Sequence, residues 1–309
     1  MERIRIGTRG SSLALTQTAW VRQCLIDRYP DLEVDVKVIK TSGDQFQTIP
    51  IEKIGAKGVF IKEIEDALLN KTIDLAVHSM KDLPTEMHGQ LMLAAVPERV
   101  DSRDVLVSRK GETLAQLPTR ARVGTGSLRR RAQVLYHRPD LRVLSIRGNV
   151  DTRLRKLAEG EVDALILAYA GLQRMGRTQE ITEPLSQDIC TSAVAQGALG
   201  LETRREDPLH EELDFLHHES TALEVEAERS FLRRLEGGCQ LPVGARATVD
   251  GASVTLVGVV AEESGARVFR GRVTGRHSVA AALGVELAEI LLEDGAAEVL
   301  RSLAERGLR

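Results

Sequence analysis

The chain has 309 residues and carries 42 Lys and Arg against 45 Asp and Glu, a formal net charge of −3. That length suggests two or three domains, and that balance argues against binding nucleic acid through overall charge. Apolar residues make up 42%, enough for a real core, but aromatics only 3%, so the core must be built from Leu, Val, Ile and Ala. The longest apolar runs, such as residues 164–171, are too short to cross a bilayer, and the N-terminus enters a charged alternating pattern without a signal-peptide stretch. Cys24, Cys190 and Cys239 are unevenly spaced and form neither a disulfide framework nor a paired metal motif. A cytoplasmic globular protein with no membrane segment and no metal is expected.

In chain order, residues 3–7 read as a short strand and 11–29 as a helix with Leu15, Ala19, Leu25 and Ile26 at apolar positions, stopped by Pro30. Residues 33–38 alternate strictly and put Val34, Val36 and Val38 on one face of a half-exposed strand. A helix over 60–69 and a buried strand over 73–77 follow. A second unit begins near Asp104, with strands at 105–107 and around Val123, a helix over 127–137 and a strand over 141–145. It continues with a helix over 151–159 and a buried strand over 164–167. Such alternation implies parallel strands with covering helices. The last third differs. Thr221 with Glu224 makes a capping-box pattern opening a helix to about Leu235. Residues 254–260 and 267–273 read as an antiparallel pair around Ser264-Gly265, and helices over 279–292 and 296–305 complete a small α+β domain.

Charge is uneven along the chain. Residues 120–156 hold eleven basic side chains against two acids, whereas residues 200–236 hold five against eleven. The basic segment points to an anionic partner. Its sharpest feature is Val123-Gly-Thr-Gly-Ser-Leu-Arg-Arg-Arg131, a strand, a small-residue turn and a helix start. Backbone N–H groups at such a helix start bind carboxylate or phosphate, and the Ser127 hydroxyl reinforces them. Arg129 and Arg130 follow at once, and Arg147 and Arg153 flank the next strand-to-helix turn. An isolated arginine is most often solvated surface. Two Gly-containing turns that both carry arginines favour a polyanionic small molecule gripped by guanidinium forks. Neither turn matches the phosphate-loop or dinucleotide fingerprints, so a nucleotide is disfavoured. Tyr136 is the one aromatic residue of the basic segment, so base-stacking platforms for nucleic acid are missing.

The turn Gly7-Thr-Arg-Gly-Ser-Ser-Leu13 has the same strand-to-helix character and offers Arg9 and Ser11. The strand at 73–77 runs into His78-Ser-Met-Lys-Asp82-Leu-Pro84, beyond the strand's carboxyl end, where ligand groups of such sheets lie. Asp82 among cations could stay ionised and face a cationic intermediate, or could be a plain turn residue before Pro84. Glu236-Gly-Gly-Cys-Gln-Leu-Pro242 sets Cys239 on a glycine loop with no periodic apolar setting, which favours a reactive or covalently modified thiol.

These segments together resemble the porphobilinogen deaminase (hydroxymethylbilane synthase) family over essentially the whole chain. The resemblance rests on Thr8-Arg-Gly-Ser11, Lys57-Gly-Val-Phe-Ile-Lys-Glu63, His78-Ser-Met-Lys-Asp82 and Gly124-Thr-Gly-Ser-Leu-Arg-Arg130. It continues, in family order, through Arg147-Gly-Asn-Val-Asp-Thr-Arg153, Ala170-Gly-Leu-Gln-Arg174, Gln196-Gly-Ala-Leu-Gly200 and Leu235-Glu-Gly-Gly-Cys239. It implies two periplasmic-binding-protein-like α/β domains with hinge crossings, residues 1–98 with 195–216 and residues 99–194, plus a small C-terminal α+β domain over 217–309. It also implies a monomeric transferase of tetrapyrrole (heme) biosynthesis, with a covalent dipyrromethane cofactor on Cys239 and porphobilinogen as its small-molecule substrate. Asp82 matches the family's catalytic aspartate. Arg9, Ser11, Lys81, Ser127, Arg129, Arg130, Arg147, Arg153 and Arg174 match positions that bind the cofactor and the growing chain. No metal, nucleotide, nucleic acid or membrane partner is implied. The sequence departs from the family pattern at Gly126, where Ser or Ala is common, and at Ala195, where Gly is typical. A solute- or effector-binding module with the same two-domain cleft is the rival reading, though it has no need of the Gly-Gly-Cys loop.

Overall fold

The computed structural model describes residues 2–42, 61–235 and 241–305. The chain divides into two compact units, Met1–Arg99 with Ala198–Ala222 and Val100–Gly197 with Leu223–Arg309. The first opens with β1 (Arg3–Thr8), α1 (Ser12–Arg28) and β2 (Glu33–Val38). The helix reverses the chain, so β2 runs parallel to β1 with Ile4 opposite Val34. Ile4, Ile6 and Val34 are buried with Val21 and Leu25 of α1, the contact that the apolar spacing predicts. Val36 and Val38 of the same face are exposed at 39% and 55%, because β2 is the edge strand and the core thins there.

Next come α2 (Lys62–Leu69), β3 (Leu75–Ser79) and β4 (Leu91–Ala95), and the unit is completed by β10 (Leu199–Arg204). Its sheet has the order β2-β1-β3-β10-β4. β1 and β3 are parallel, and β10 lies antiparallel to both of its neighbours.

The second unit repeats this plan. β5 (Asp104–Ser108), β6 (Arg122–Gly124), α3 (Leu128–His137), β7 (Arg142–Leu144) and α4 (Val150–Ala158) come first. β8 (Ala164–Ala168), α5 (Tyr169–Arg174) and β9 (Glu183–Pro184) follow. The order β7-β6-β8-β5-β9 again has a parallel trio and one strand, β5, running against its neighbours. The parallel strands that the alternation implies are present in both sheets, and β5 and β10 run against their neighbours. Both are the first strand after the chain passes from one unit to the other, so no covering helix precedes them to set a parallel direction. The sheet is buried on both faces: Val105, Val107 and Leu165 pack with Leu154 and Leu157, while Leu106, Val123 and Ile166 pack with Val134.

The last segment holds α6 (Glu219–Arg234), the meander β11 (Val243–Asp250), β12 (Ser253–Ala261) and β13 (Val268–Arg276), then α7 (Ala280–Leu291) and α8 (Ala297–Glu305). The β12–β13 pair is antiparallel as expected, and β11 adds a third strand that the sequence reading lacks. Thr221 is not the helix cap. α6 starts earlier, and the His218 ring Nδ1 accepts from the Thr221 N–H at 3.3 Å in the role predicted for the Thr221 hydroxyl. α6 and α7 approach so closely at Gly284 that a Cβ there would lie 2.4 Å from the Ala227 carbonyl oxygen. Among the described residues no helix is long and apolar enough to cross a membrane.

Candidate active site

In the first unit the carboxyl ends of β1 and β3 lie side by side. Beyond β1, the chain turns through Arg9 and Gly10 to Ser11, whose hydroxyl accepts from the Ala14 N–H at 3.3 Å and caps α1. Beyond β3, Met80–Asp82 form a single tight turn. Met80 is fully buried and donates its N–H to the Ala198 carbonyl at 3.0 Å, which pins the turn to the start of β10. Lys81 and Asp82 follow it, both half-buried. Ser79, the last residue of β3, is held by the buried Gln17 of α1, whose Nε2 donates to the Ser79 hydroxyl at 2.8 Å. Arg9, Ser11, Lys81 and Asp82 thus sit on adjacent strand ends of one sheet.

In the second unit the corresponding strand ends carry the arginines. After β6, Thr125 Oγ1 accepts from the Ser127 N–H at 3.2 Å, and the Ser127 hydroxyl accepts from the Arg130 N–H at 3.4 Å, capping α3. The turn fits closely at Gly126, where a Cβ would lie 3.1 Å from the Ile146 carbonyl oxygen, a contact that a shift of a few tenths of an ångström relieves. That position is also 3.9 Å from an Arg153 guanidinium nitrogen, so Arg153 lies over the first turn although it belongs to the second. Asn149 caps α4 by accepting from the Thr152 N–H at 2.9 Å, and Arg153 Nε donates to the Gly148 carbonyl at 2.9 Å. Gly148 has φ +107°, and a Cβ on it would collide with Thr152 at 2.5 Å, so glycine is required there. Arg174, in the last turn of α5, donates to the Gly197 carbonyl at 2.7 Å.

Arg129 and Arg130 converge on Asp104, the first residue of β5. Arg129 donates to Asp104 Oδ2 at 2.6 Å and to the Thr191 carbonyl at 2.6 Å. Arg130 grips Asp104 Oδ1 through Nε at 3.0 Å and a terminal nitrogen at 2.7 Å. Gln196 adds an amide donor to the same oxygen at 2.9 Å. Both arginines are nearly buried, at 3% and 6% exposure. Burial alone would push the Asp104 carboxyl up, but the two guanidiniums outweigh it and hold the group well below the ordinary carboxylate range. Burial first, then the charges of Arg130 and Arg147, push the Arg153 guanidinium down to about 10, and burial pushes Arg174 down to about 10. Both remain charged at neutral pH, in surroundings that an added anion would make more favourable.

Asp104 and Gln17 were missed as site residues by the sequence reading, and Gln196 entered it only as part of the Gln196–Gly200 motif. The one local signal was an acid standing directly before the apolar run Val105–Val107. Cys239 lies outside the described residues, as do Lys57 to Phe60 of the Lys57–Glu63 motif. Among the described residues no group of three or more His, Cys, Asp or Glu is placed to hold a metal ion.

Comparison with known proteins decides what these strand ends belong to. Residues 4–212 match the family described as porphobilinogen deaminase, dipyromethane cofactor binding domain. The chain belongs to the porphobilinogen deaminase family. Residues 222–293 match the C-terminal domain of porphobilinogen deaminase. The porphobilinogen deaminase of Geobacter sulfurreducens is 49% identical over 307 residues, covering 99% of this chain and 96% of that protein. That of Trichlorobacter lovleyi is 49% identical over 306 residues, covering 99% and 98%. Among solved structures, the methionine-binding protein MetQ is similar over 66% of this chain and 84% of that one, with 11% identity and a TM-score of 0.43. Membership of the porphobilinogen deaminase family, with its dipyrromethane-binding domain, favours the enzyme over the solute-binding module.

Proposed function

We propose that the chain condenses four porphobilinogen molecules head to tail on a dipyrromethane primer bound through Cys239, releasing one ammonia per unit and then hydroxymethylbilane by hydrolysis. The observation that carries this reading is the arginine cluster at the paired turns of the second unit, where Arg153 lies over the first turn and feels the charges of Arg130 and Arg147. Each pyrrole of primer and substrate brings two carboxylates, so a growing chain needs many cations placed in advance. In this reading Ser127, Arg147, Arg153 and Arg174 would hold carboxylates of the cofactor and growing chain, Arg129 and Arg130 would act from the buried pair they make with Asp104, and Arg9, Ser11 and Lys81 are further binding residues. When bound, the dipyrromethane supplies the pyrrole carbon to which the first substrate is joined.

Asp82 is the catalytic residue in this reading. Its carboxylate stabilises the positive charge that develops on the substrate as ammonia leaves, and takes up the proton released when the new carbon–carbon bond forms. We further propose the three-domain division given above, with a transferase acting as a cytoplasmic monomer on a small molecule and without nucleic acid. The test is ammonia release from porphobilinogen by the wild type and by Asp82→Asn. Loss of a charge-stabilising group predicts a fall in kcat of about 100-fold or more. KM should change far less, because arginines hold the substrate's carboxylates. Near-normal turnover by the Asn variant would remove Asp82 from this role.

A further inference from the structure

In the last sheet Gly244 of β11 pairs with Val259 of β12, and Val259 with Arg270 of β13, so the three form one row across the meander. Their neighbours Gly258 and Gly271 face the helices, since a Cβ on them would lie 2.8 and 2.7 Å from Leu287 of α7. Side chains alternate along a strand, so the row of Gly244, Val259 and Arg270 points the other way. There it meets the segment that follows β9. A Cβ on Gly244 would lie 2.8 Å from the Thr191 and Ser192 carbonyl oxygens and 3.0 Å from Arg129 Cδ. The Ala245 N–H donates to the Ser192 carbonyl at 3.0 Å. Arg270 spreads its guanidinium over the same segment. One terminal nitrogen donates to the Gln187 carbonyl at 2.8 Å and to Thr191 Oγ1 at 2.9 Å. The other donates to the Asp188 carbonyl at 2.9 Å and, at 3.4 Å, to Gln133 Oε1 of α3. None of these acceptors is a carboxylate oxygen, so the fork fixes the course of the backbone rather than neutralising an acid.

Thr191 passes this constraint to Arg129. Its N–H donates to Gln133 Oε1 at 2.8 Å, and its carbonyl accepts from Gln133 Nε2 at 3.1 Å and from Arg129 at 2.6 Å. The same Arg129 nitrogen donates to Asp104 Oδ2 at 2.6 Å, so its place is set by Thr191 on one side and Asp104 on the other. Thr191, Gln133 and Asp104 are all buried, where each hydrogen bond orients the next and a broken one is costly. Cys190 lies in the same cluster, with Sγ donating to Asp104 Oδ2 at 3.3 Å. Burial first, and then the charge of Asp104, push its thiol up to about 12, which keeps it inert while the segment stays closed.

We propose that Arg270 is a positioning residue, which from the C-terminal meander fixes residues 187–191 and, through the Thr191 carbonyl, the guanidinium of Arg129. Its bearing on cofactor loading rests on the reading of Arg129 above; the placement of the segment does not. The β12–β13 pair has a second seat on α3. At Gly265, with φ +77°, a Cβ would lie 2.7 Å from the Tyr136 nitrogen and 2.8 Å from the Ala132 carbonyl oxygen. That seat does not involve Arg270, so loss of the fork loosens the segment and leaves the strands docked.

Arg270→Lys keeps the stem and the charge but puts one nitrogen where a fork reached four acceptors. The full chain is exposed to iodoacetamide, and the rate at Cys190 is read by peptide mass from zero urea to just below the unfolding transition. Local opening leaves that rate flat in urea, whereas global opening makes it climb. Arg270→Lys should be alkylated at Cys190 about tenfold faster than the wild type, and the rate should stay flat. Arg267→Lys is the control: Arg267 stands just before β13 and pairs with Glu262 and Glu298 at the surface, and the variant should match the wild type. An unchanged rate in Arg270→Lys, or a raised one that climbs with urea, overturns the positioning role. The share of chains carrying a two-pyrrole adduct, read as intact mass, should fall several-fold in Arg270→Lys and stay at the wild-type level in Arg267→Lys. A wild-type share in Arg270→Lys overturns the link to cofactor loading. A wild type with no adduct contradicts the proposed function instead, and the alkylation rates still decide whether Arg270 holds the segment.

Discussion

Ala195 holds φ +58°, in the left-handed region that costs a residue with a Cβ about 1–2 kcal/mol. It is kept there by Glu228 of α6, whose Oε2 accepts from the Ala195 N–H at 2.6 Å while Oε1 accepts from the Ala247 N–H at 2.8 Å. The buried carboxylate thus ties the segment before β10 to β11. Ala195→Gly would remove the strain, against about 0.5–1 kcal/mol for the greater freedom of glycine in the unfolded chain. Stability in urea should therefore stay level or rise by about 1 kcal/mol. A loss larger than that would mean that the buried methyl packs to advantage. The helix starts at Ser11 and Ser127 were legible in the sequence to within one residue, but the role of each serine as a cap directly before its helix was not read there. Asp104 was not legible, because what it does depends on a partner 25 positions away, Arg129, which only the tertiary fold brings near.

Among the elements, the two turns of the second unit differ in how their arginines are held, and the proposed function assigns one pair to cofactor assembly and the other to elongation. Arg129 and Arg130 share Asp104 inside the unit, whereas Arg153 is held by the Gly148 carbonyl and lies near other cations. Removing Arg129 or Arg130 leaves Asp104 buried with one guanidinium instead of two, a loss of the kind that costs about 3–5 kcal/mol when a buried pair is broken outright. Removing Arg153 relieves repulsion and should spare the fold. Arg129→Leu or Arg130→Leu should then give mostly cofactor-free protein of lower thermal stability, since a bound cofactor stabilises the folded state. Arg147→Leu and Arg153→Leu should give cofactor-loaded protein that stalls with intermediate numbers of pyrroles, read as intact masses after brief exposure to porphobilinogen. Four variants with the wild-type mass pattern would leave these arginines without a role in holding the cofactor or the growing chain. The helices and parallel strands that frame the turns were readable from apolar period. β4, β10 and β11 were not, since 91–95 does not alternate and β10 finds its sheet 120 residues after β3.

At the scale of the molecule, the two units share one plan, β2-β1-β3-β10-β4 and β7-β6-β8-β5-β9, with the candidate residues at the carboxyl ends of the parallel strands in each. No fixed-period repeat announces this in the sequence, because strand order is conserved through pairing while side chains differ. The first unit's strand ends carry Asp82 and Lys81, the second's carry most of the arginines, and the Gly-Gly-Cys loop follows α6. That division suits a chemistry in which one carboxylate acts repeatedly while many cations hold a lengthening polyanion. Its central claim is that one thiol, Cys239, carries a primer on which the product is built. The measurement that meets this claim most directly is the intact mass of the purified chain before and after addition of porphobilinogen. The account predicts a mass raised by two condensed pyrroles at rest, then a ladder of up to four further pyrrole units that collapses back to the resting mass, with Cys239→Ser lacking the normal adduct and Cys24→Ser and Cys190→Ser retaining it. An unmodified mass that porphobilinogen leaves unchanged, or an adduct carried by Cys24 or Cys190, would contradict it.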